Sequence, residues 1–90
     1  VNENRIFDKQ TRKEILLTSK QYQIFMYLLQ HPNQILTKEQ IFEAVWDEPY
    51  IEGDKTLAVH IRYLREKIEI DPSSPQIIET IRGIGYRVKQ

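Results

Sequence analysis

The sequence predicts an α+β domain built from a short N-terminal antiparallel sheet, three helices and a C-terminal β-hairpin. Two capping boxes, "TSKQ" (18–21) and "TKEQ" (37–40), each open an amphipathic run. A third run, "DKTLAVHIRYLREKIE" (54–69), repeats apolar residues at helical spacing. Near the end of the chain, "RGIG" (82–85) separates two strand-like runs and is typical of a hairpin turn.

The chain has the length of one small domain, with 90 residues of which 40% are apolar and 29% are charged. No apolar run approaches the roughly 20 residues that cross a membrane, so no membrane contact is expected. There is no cysteine, which excludes disulfides and thiolate metal sites. Because the chain begins with valine and a short polar segment, we expect residues 1–90 to be a single domain cut from a longer protein.

The N-terminal third predicts a hairpin followed by the central core helix. Two apolar pieces around a polar turn place the strands at Arg5–Asp8 and Glu14–Leu17. The first capping box then starts a helix that runs to about Gln30 and ends before Pro32. The main apolar stripe of this helix consists of Tyr22, Phe25, Met26 and Leu29, widened by Ile24 and Leu28.

The second capping box predicts a short helix that ends at Trp46. Its inward side chains are predicted to be Ile41, Phe42 and Val45. Proline and glycine mark a loop over residues 47–53, after which Asp54 is expected to cap a third helix from Lys55 to about Glu69.

The remaining residues predict a turn at "DPSSP" (71–75) and two strands, "QIIETI" (76–81) and "YRVK" (86–89). The order of helices and hairpin places the third helix second in a helix-turn-helix pair, with a β wing after it. That arrangement is typical of proteins that insert a helix into the DNA major groove.

The net charge of zero does not describe how the charges are distributed. Residues 1–54 carry six Lys/Arg and nine Asp/Glu, a balance of −3. Residues 55–90 carry seven Lys/Arg and four Asp/Glu, a balance of +3. A local basic surface is the footprint of a phosphate-binding protein, even where the whole chain is neutral.

The third predicted helix has a core face and an unusual outer face. At about 100° per residue, one side carries Leu57, Ile61, Leu64 and Ile68. The other side combines basic residues with Val59 and Tyr63. Cations bind phosphates, arginine reads guanine edges and small apolar groups contact the thymine methyl, so this face suits the DNA major groove. Arg82, at the hairpin tip, is placed to reach the minor groove.

Other interpretations remain open from the residues alone. A basic helix face is often simply solvated, and single exposed apolar residues are common. The same architecture also serves for docking proteins, because fold does not fix function; a steep salt dependence of binding distinguishes DNA from a protein partner. We expect no catalysis, no cofactor and no metal, since His31 and His60 lie on separate helices and no glycine-rich phosphate loop precedes a helix.

Three segments resemble the OmpR/PhoB-type winged-helix effector domain of bacterial two-component response regulators. They are "LTSKQYQIFMYLLQHPNQILTKEQIFEAVW" (17–46), "KTLAVHIRYLREKI" (55–68) and "IETIRGIGYRV" (78–88). The resemblance implies a winged helix-turn-helix with a four-stranded N-terminal sheet, of which two strands are evident here. It also implies sequence-specific binding of double-stranded DNA in transcription regulation, with helix 55–69 in the major groove and wing 80–87 in the minor groove.

The resemblance assigns roles to individual residues. The family positions that contact phosphates correspond to Trp46, Lys55, His60, Arg62, Thr80 and Tyr86. The base-facing positions correspond to Thr56, Val59, Tyr63 and Arg65. Arg82 corresponds to the wing residue that enters the minor groove. The segment that contacts RNA polymerase in activators of this family corresponds to loop 47–53, with the acidic residues Asp47, Glu48 and Glu52.

The resemblance further implies a cytoplasmic protein with an N-terminal receiver domain that is phosphorylated by a sensor histidine kinase. It implies DNA sites that are tandem direct repeats. Membrane-anchored one-component regulators carry the same kind of domain and remain an alternative. Two residues depart from the family pattern: Tyr63 stands where PhoB has arginine, and Glu66 adds a negative charge to the outward face.

Overall fold

The computed structural model describes residues 5–8 and 13–89, which form five strands and three helices. In chain order the elements are β1 (Arg5–Asp8), β2 (Lys13–Leu16), α1 (Ser19–Leu29), β3 (Leu36–Thr37), α2 (Lys38–Trp46), α3 (Thr56–Ile68), β4 (Ile78–Ile81) and β5 (Gly85–Val88). The predicted α+β class, three helices and two hairpins are confirmed. The second strand lies one residue earlier than predicted, and the turn of the first hairpin lies outside the described residues.

Both predicted capping boxes form. The Thr18 hydroxyl accepts the Gln21 amide hydrogen at 3.2 Å, and the Gln21 side chain accepts the Thr18 amide hydrogen at 3.0 Å. Thr37 and Gln40 repeat the pattern at 3.0 and 2.9 Å. The starts of α1 and α2 are therefore set by local sequence, because these side chains satisfy amide groups that the helix leaves unpaired.

The helices and the C-terminal sheet enclose one hydrophobic core. Its most deeply buried side chains are Ile24, Leu28, Ile41, Ile61, Leu64, Ile78 and Val88. The predicted stripe of α1 is displaced, since Tyr22, Met26 and Leu29 are only half-buried. The buried row includes Gln21, a polar residue that a search for apolar periodicity leaves out. The Gln21 side-chain oxygen accepts a hydrogen bond from the Lys67 ammonium at 2.8 Å.

The third helix is one residue shorter at each end than predicted. Lys55 occupies the N-cap position without a side-chain cap, while Asp54 acts from one residue further out. At the other end, Glu69 is 7% exposed and its carboxylate accepts the amide hydrogens of residues 76–78 at 2.8 to 3.1 Å. The Glu69 carboxylate therefore holds the start of β4, which begins at Ile78 and not at Gln76 as predicted.

The C-terminal sheet has the antiparallel order β3–β5–β4. The sequence did not predict β3, which pairs Leu36 with Tyr86 and Thr37 with Gly85. It also placed the start of β5 one residue late, at Tyr86. A Cβ at Gly85 would lie 1.9 Å from the Leu36 carbonyl oxygen, so the close approach of these two strands requires glycine.

Candidate nucleic-acid interface

The N-terminus of α3 is fixed by the Asp54 carboxylate. It accepts the Thr56 hydroxyl hydrogen at 2.6 Å and the Thr56 amide hydrogen at 2.9 Å, and these bonds lower the pKa of Asp54. A hydroxyl has one hydrogen, and Thr56 gives it to Asp54. Thr56 can therefore offer an outside partner lone pairs and a methyl group, next to the exposed Lys55.

The outward face of α3 contains Val59 and Tyr63, which are 45% and 47% exposed as the helical pattern predicts. Arg62 is exposed beside them, with its guanidinium carbon 5.8 Å from the centre of the Tyr63 ring. The Nε atom of Arg62 lies 3.8 Å from the Glu66 carboxylate. Glu66 therefore offsets part of the positive charge that Arg62 contributes to this face.

Arg65 does not share this exposure. Its Nη2 atom donates to the Ile78 carbonyl at 2.9 Å and to the Thr80 hydroxyl at 2.5 Å. Its Nε atom is buried and has no hydrogen-bond partner among the described residues. Burial lowers the pKa of Arg65, and its guanidinium carbon lies 5.7 Å from the Tyr86 ring centre. The helical pattern could not reveal this structural role, because the partners of Arg65 lie 13 and 15 positions away in the sequence.

Trp46 and His60 lie edge to face, with ring centres 5.1 Å apart. Trp46 also stacks on Phe42 at 4.9 Å, and His60 Nδ1 lies 2.9 Å from the Thr56 carbonyl oxygen. A carbonyl can only accept, so Nδ1 carries the hydrogen and neutral His60 presents Nε2 as an acceptor. His60 can donate a hydrogen bond to a phosphate only as the imidazolium ion.

Two lysines that the sequence did not indicate lie near the predicted phosphate-binding residues. Lys20 donates to the Val45 carbonyl at 3.1 Å and lies 5.3 Å from the Trp46 ring. Lys38 lines an open groove of about 390 Å³ between loop 50–55, α3 and the wing. Its ammonium lies 3.8 Å from the Glu52 carboxylate. A lysine at the first position of a helix opposes the helix dipole, and this is the sequence signal that could have identified Lys38.

The β4–β5 wing carries Arg82 on its exposed turn. Gly83 adopts φ +75°, and the turn closes with a hydrogen bond from the Ile84 amide to the Ile81 carbonyl at 2.9 Å. Thr80 and Tyr86 are directly paired across the two strands. Tyr86 is half-buried, and this burial raises the pKa of its hydroxyl.

The loop after α2 carries three exposed acidic side chains, Asp47, Glu48 and Glu52. The chain leaves α2 through Asp47 in the left-handed region, at φ 57°. The Tyr50 amide donates to the Glu43 carboxylate at 3.0 Å, which fixes the middle of the loop. The loop therefore presents a negative surface that differs in sign from the outward face of α3.

The predicted phosphate-binding residues fall into contact groups. Trp46 packs with His60, and Thr80 with Tyr86 beside Arg65. Over residues 5–8 and 13–89, no group of His, Asp or Glu is arranged to hold a metal ion. No helix in the same ranges is long and apolar enough to cross a membrane.

The sequence of this chain is similar to those of known proteins. The family described as "Transcriptional regulatory protein, C terminal" matches residues 12–88. Transcriptional regulatory protein YvrH of Bacillus subtilis is 54% identical over 65 residues, which are 72% of this chain and 27% of that protein. The chain spans between 27% and 39% of the length of three such curated relatives.

Solved structures agree with the fold. The DNA-binding domain of Klebsiella pneumoniae RstA, crystallised with the RstA box, matches with a TM-score of 0.81 at 21% identity, over 99% of this chain and 95% of that chain. The DNA-binding domain of Bacillus subtilis CssR matches with a TM-score of 0.76 at 29% identity, over 93% of this chain and 89% of that chain.

Proposed function

The chain belongs to the family of C-terminal domains of transcriptional regulatory proteins, the DNA-binding output domains of OmpR/PhoB-type response regulators, and we propose how it engages DNA. In this proposal α3 lies in the major groove and the β4–β5 wing reaches the neighbouring minor groove. The supporting observation is the outward face of α3, where Val59 and Tyr63 are exposed beside Lys55 and Arg62. A base-pair edge would cover these apolar groups, while the cations contact the phosphates.

Base recognition is assigned to the residues along this face. Val59 contacts a thymine methyl, and Tyr63 offers one hydroxyl and a flat ring. Thr56 accepts a hydrogen bond from a base amino group, or contacts a methyl, because its own hydrogen is given to Asp54. For Arg65, the hydrogen bonds to the wing support a different role from base recognition.

Phosphate contacts position the domain and carry no sequence information themselves. The proposed contacts are Trp46, Lys55, His60, Arg62, Thr80 and Tyr86. Arg82 is proposed to enter the minor groove, where narrow A·T-rich tracts attract arginine. The exposure of Arg82 at the turn of the wing supports this assignment.

Salt dependence of binding tests the proposal. If four to six phosphates are neutralised, log K should fall with log salt with a slope of about −4 to −5. Replacing one contact, as in Lys55→Gln, should weaken binding on every sequence and make the slope less steep by about 1. A flat salt response would contradict DNA binding through this surface and favour a protein-docking domain.

We also propose that two copies bind tandem direct repeats about one helical turn apart, since the spacing of half-sites follows from groove geometry. Footprinting on a selected site should show two adjacent protected half-sites as protein is added. Protection of one half-site at every protein concentration would contradict tandem binding.

Loop 47–53 is proposed to contact RNA polymerase. The exposed acids weaken DNA binding if they act on it at all, and Ile51 beside them is 70% exposed, so the loop suits a partner with basic and apolar groups. Neutralising Glu48 and Glu52 together should lower transcription at an activated promoter without lowering DNA affinity. Unchanged transcription at such a promoter would remove this role.

The whole protein is proposed to be a cytoplasmic response regulator. The length of the relatives leaves room for an N-terminal receiver domain, which a sensor histidine kinase would phosphorylate. The family consists of transcription regulators and not of enzymes, and the proposal includes no cofactor. The sequence of the remaining chain distinguishes this proposal from a membrane-anchored one-component regulator.

A further inference from the structure

We infer that Arg65 is a positioning residue that fixes the wing relative to α3, and that it does not read a base. The inference rests on the proposed placement of α3 and the wing in neighbouring grooves. It differs from the base-facing role that the family resemblance assigns to this position. Three features carry it: the hydrogens that Arg65 has already donated, the place on the wing where it is attached, and the second attachment at Glu69.

The hydrogen bonds that Arg65 makes leave no pair of nitrogens free for a bidentate contact with guanine. A bidentate contact with guanine O6 and N7 needs two neighbouring guanidinium nitrogens, either Nη1 with Nη2 or Nε with Nη2. Both pairs include Nη2, whose two hydrogens are donated to the Ile78 carbonyl and the Thr80 hydroxyl. The Nε hydrogen is enclosed, because that atom is buried. Reading a guanine would therefore require Arg65 to release the wing.

The attachment lies at the part of the wing that determines where Arg82 points. Thr80 is two residues before Arg82 and is paired with Tyr86 on the opposite strand. The Tyr86 ring lies 5.7 Å from the Arg65 guanidinium carbon, so the cation packs on this pair as well as bonding to it. Any movement of β4 away from α3 would break these contacts.

The wing is held from its other side by the segment before α2. Leu36 and Thr37 of β3 pair with β5, and the Lys38 amide donates to the Ile84 carbonyl at 3.2 Å. Arg65 therefore attaches the wing to α3, as β3 attaches it to the start of α2. Together these two attachments fix the wing between α2 and α3.

A second attachment holds the chain where it enters β4. The Glu69 carboxylate follows α3 directly and accepts the amide hydrogens of residues 76–78. Arg65 and Glu69 thus fix consecutive parts of β4 to the same helix end. The spacing between α3 and Arg82 is therefore fixed before DNA binds, and Arg65 determines it. This spacing sets how far the contacted minor groove lies from the base pairs under α3.

A double-mutant cycle with site selection tests the inference, using Arg65→Met, Arg82→Ala and the double variant on random duplex libraries. We expect Arg65→Met to keep the base preferences under α3 and to lose the preference for an A·T-rich flank. Arg82→Ala should weaken binding to an A·T-flanked site about tenfold in the parent and less than about twofold in the Arg65→Met background, because residues in one network are not additive.

The opposite result is equally specific. If Arg65 reads a base, Arg65→Met removes the preference at one base pair under α3, and Arg82→Ala costs the same factor in both backgrounds. That outcome would overturn the inference while leaving DNA binding intact. If the parent domain binds no DNA with a steep salt slope, the proposed function fails and the inference fails with it.

Two further variants keep the inference testable if Arg65→Met does not fold. Thermal unfolding of each variant shows whether it is folded. Thr80→Val keeps the side-chain shape but removes an acceptor of Arg65, and should reduce the flank preference in part. Arg62→Met is the matched control, an arginine on the same helix that is exposed and not bonded to the wing. It should weaken binding equally on all sequences and leave the flank preference unchanged. An equal loss of flank preference in Arg62→Met would contradict the assignment to Arg65.

Discussion

The outward face of α3 and the base of the wing differ in how strongly the rest of the molecule constrains them. On α3, Val59 and Tyr63 project from the surface. At the base of the wing, Gly85 touches the backbone of β3, and Thr80 and Tyr86 are held by the Arg65 side chain. We therefore expect substitutions on the outward face of α3 to change DNA preference with little effect on folding, and substitutions at the contact between Gly85 and β3 to change folding first.

The largest difference in stability should appear between a methyl group added at the base of the wing and side-chain atoms removed from the outward face of α3. Gly85→Ala would place a Cβ 1.9 Å from the Leu36 carbonyl oxygen. Since the two strands must separate, we expect a loss of about 3 kcal/mol in the free energy of unfolding. Val59→Ala, on the exposed face, should change it by at most about 0.5 kcal/mol. Urea unfolding of both variants measures the contrast, and equal losses would contradict it.

The next effect concerns base preference on α3. Tyr63→Arg should shift one base pair towards G·C and raise affinity, because arginine can fork onto a guanine edge and adds a cation. A good bidentate contact discriminates by about 1–3 kcal/mol. Sites selected by the variant and the parent show the shift directly. If the two sets of sites agree at every position, Tyr63 does not contact a base. In either case the stability of the Tyr63→Arg variant should equal that of the parent.

A smaller effect is expected at Lys38, where the groove meets the acidic loop. Glu52 lies 3.8 Å from Lys38. In the proposed DNA complex it would compete with a phosphate for this lysine. Glu52→Gln should tighten DNA binding by about two- to fivefold, since exposed ion pairs contribute about 0.2–1 kcal/mol. Glu48→Gln is the matched control and should tighten it less. The gain should disappear in a Lys38→Gln background, and a gain that persists there would contradict the competition.

The parts of the fold that local sequence determines could be predicted. The capping boxes at Thr18 and Thr37 form where the motif places them, because each involves residues three positions apart. The helical period of α3 correctly separated the buried Leu57, Ile61 and Leu64 from the exposed Val59 and Tyr63. These signals depend only on neighbouring residues, so one sequence is enough to recognise them.

The remaining features depend on contacts between distant segments. β3 has two residues and exists because it pairs with β5, so no period could reveal it. The burial of Arg65 follows from partners on β4, and the pattern of α3 alone indicated an outward cation. Glu69 had one weak signal, an acid at the end of a helix where the dipole disfavours it. Such a residue is expected to have a partner elsewhere.

The Glu69 carboxylate has a consequence for chain length. It holds the end of α3 next to the start of β4, so residues 70–75 form a loop whose two ends are already joined. Lengthening such a loop costs little, since each doubling of loop length adds only about 0.6 kcal/mol of closure entropy. Ile70, at 91% exposed, begins this segment on the surface. Residues 70–75 are therefore a suitable insertion point for a fluorescent or affinity peptide, at which a reporter can be added while the register between α3 and the wing is kept.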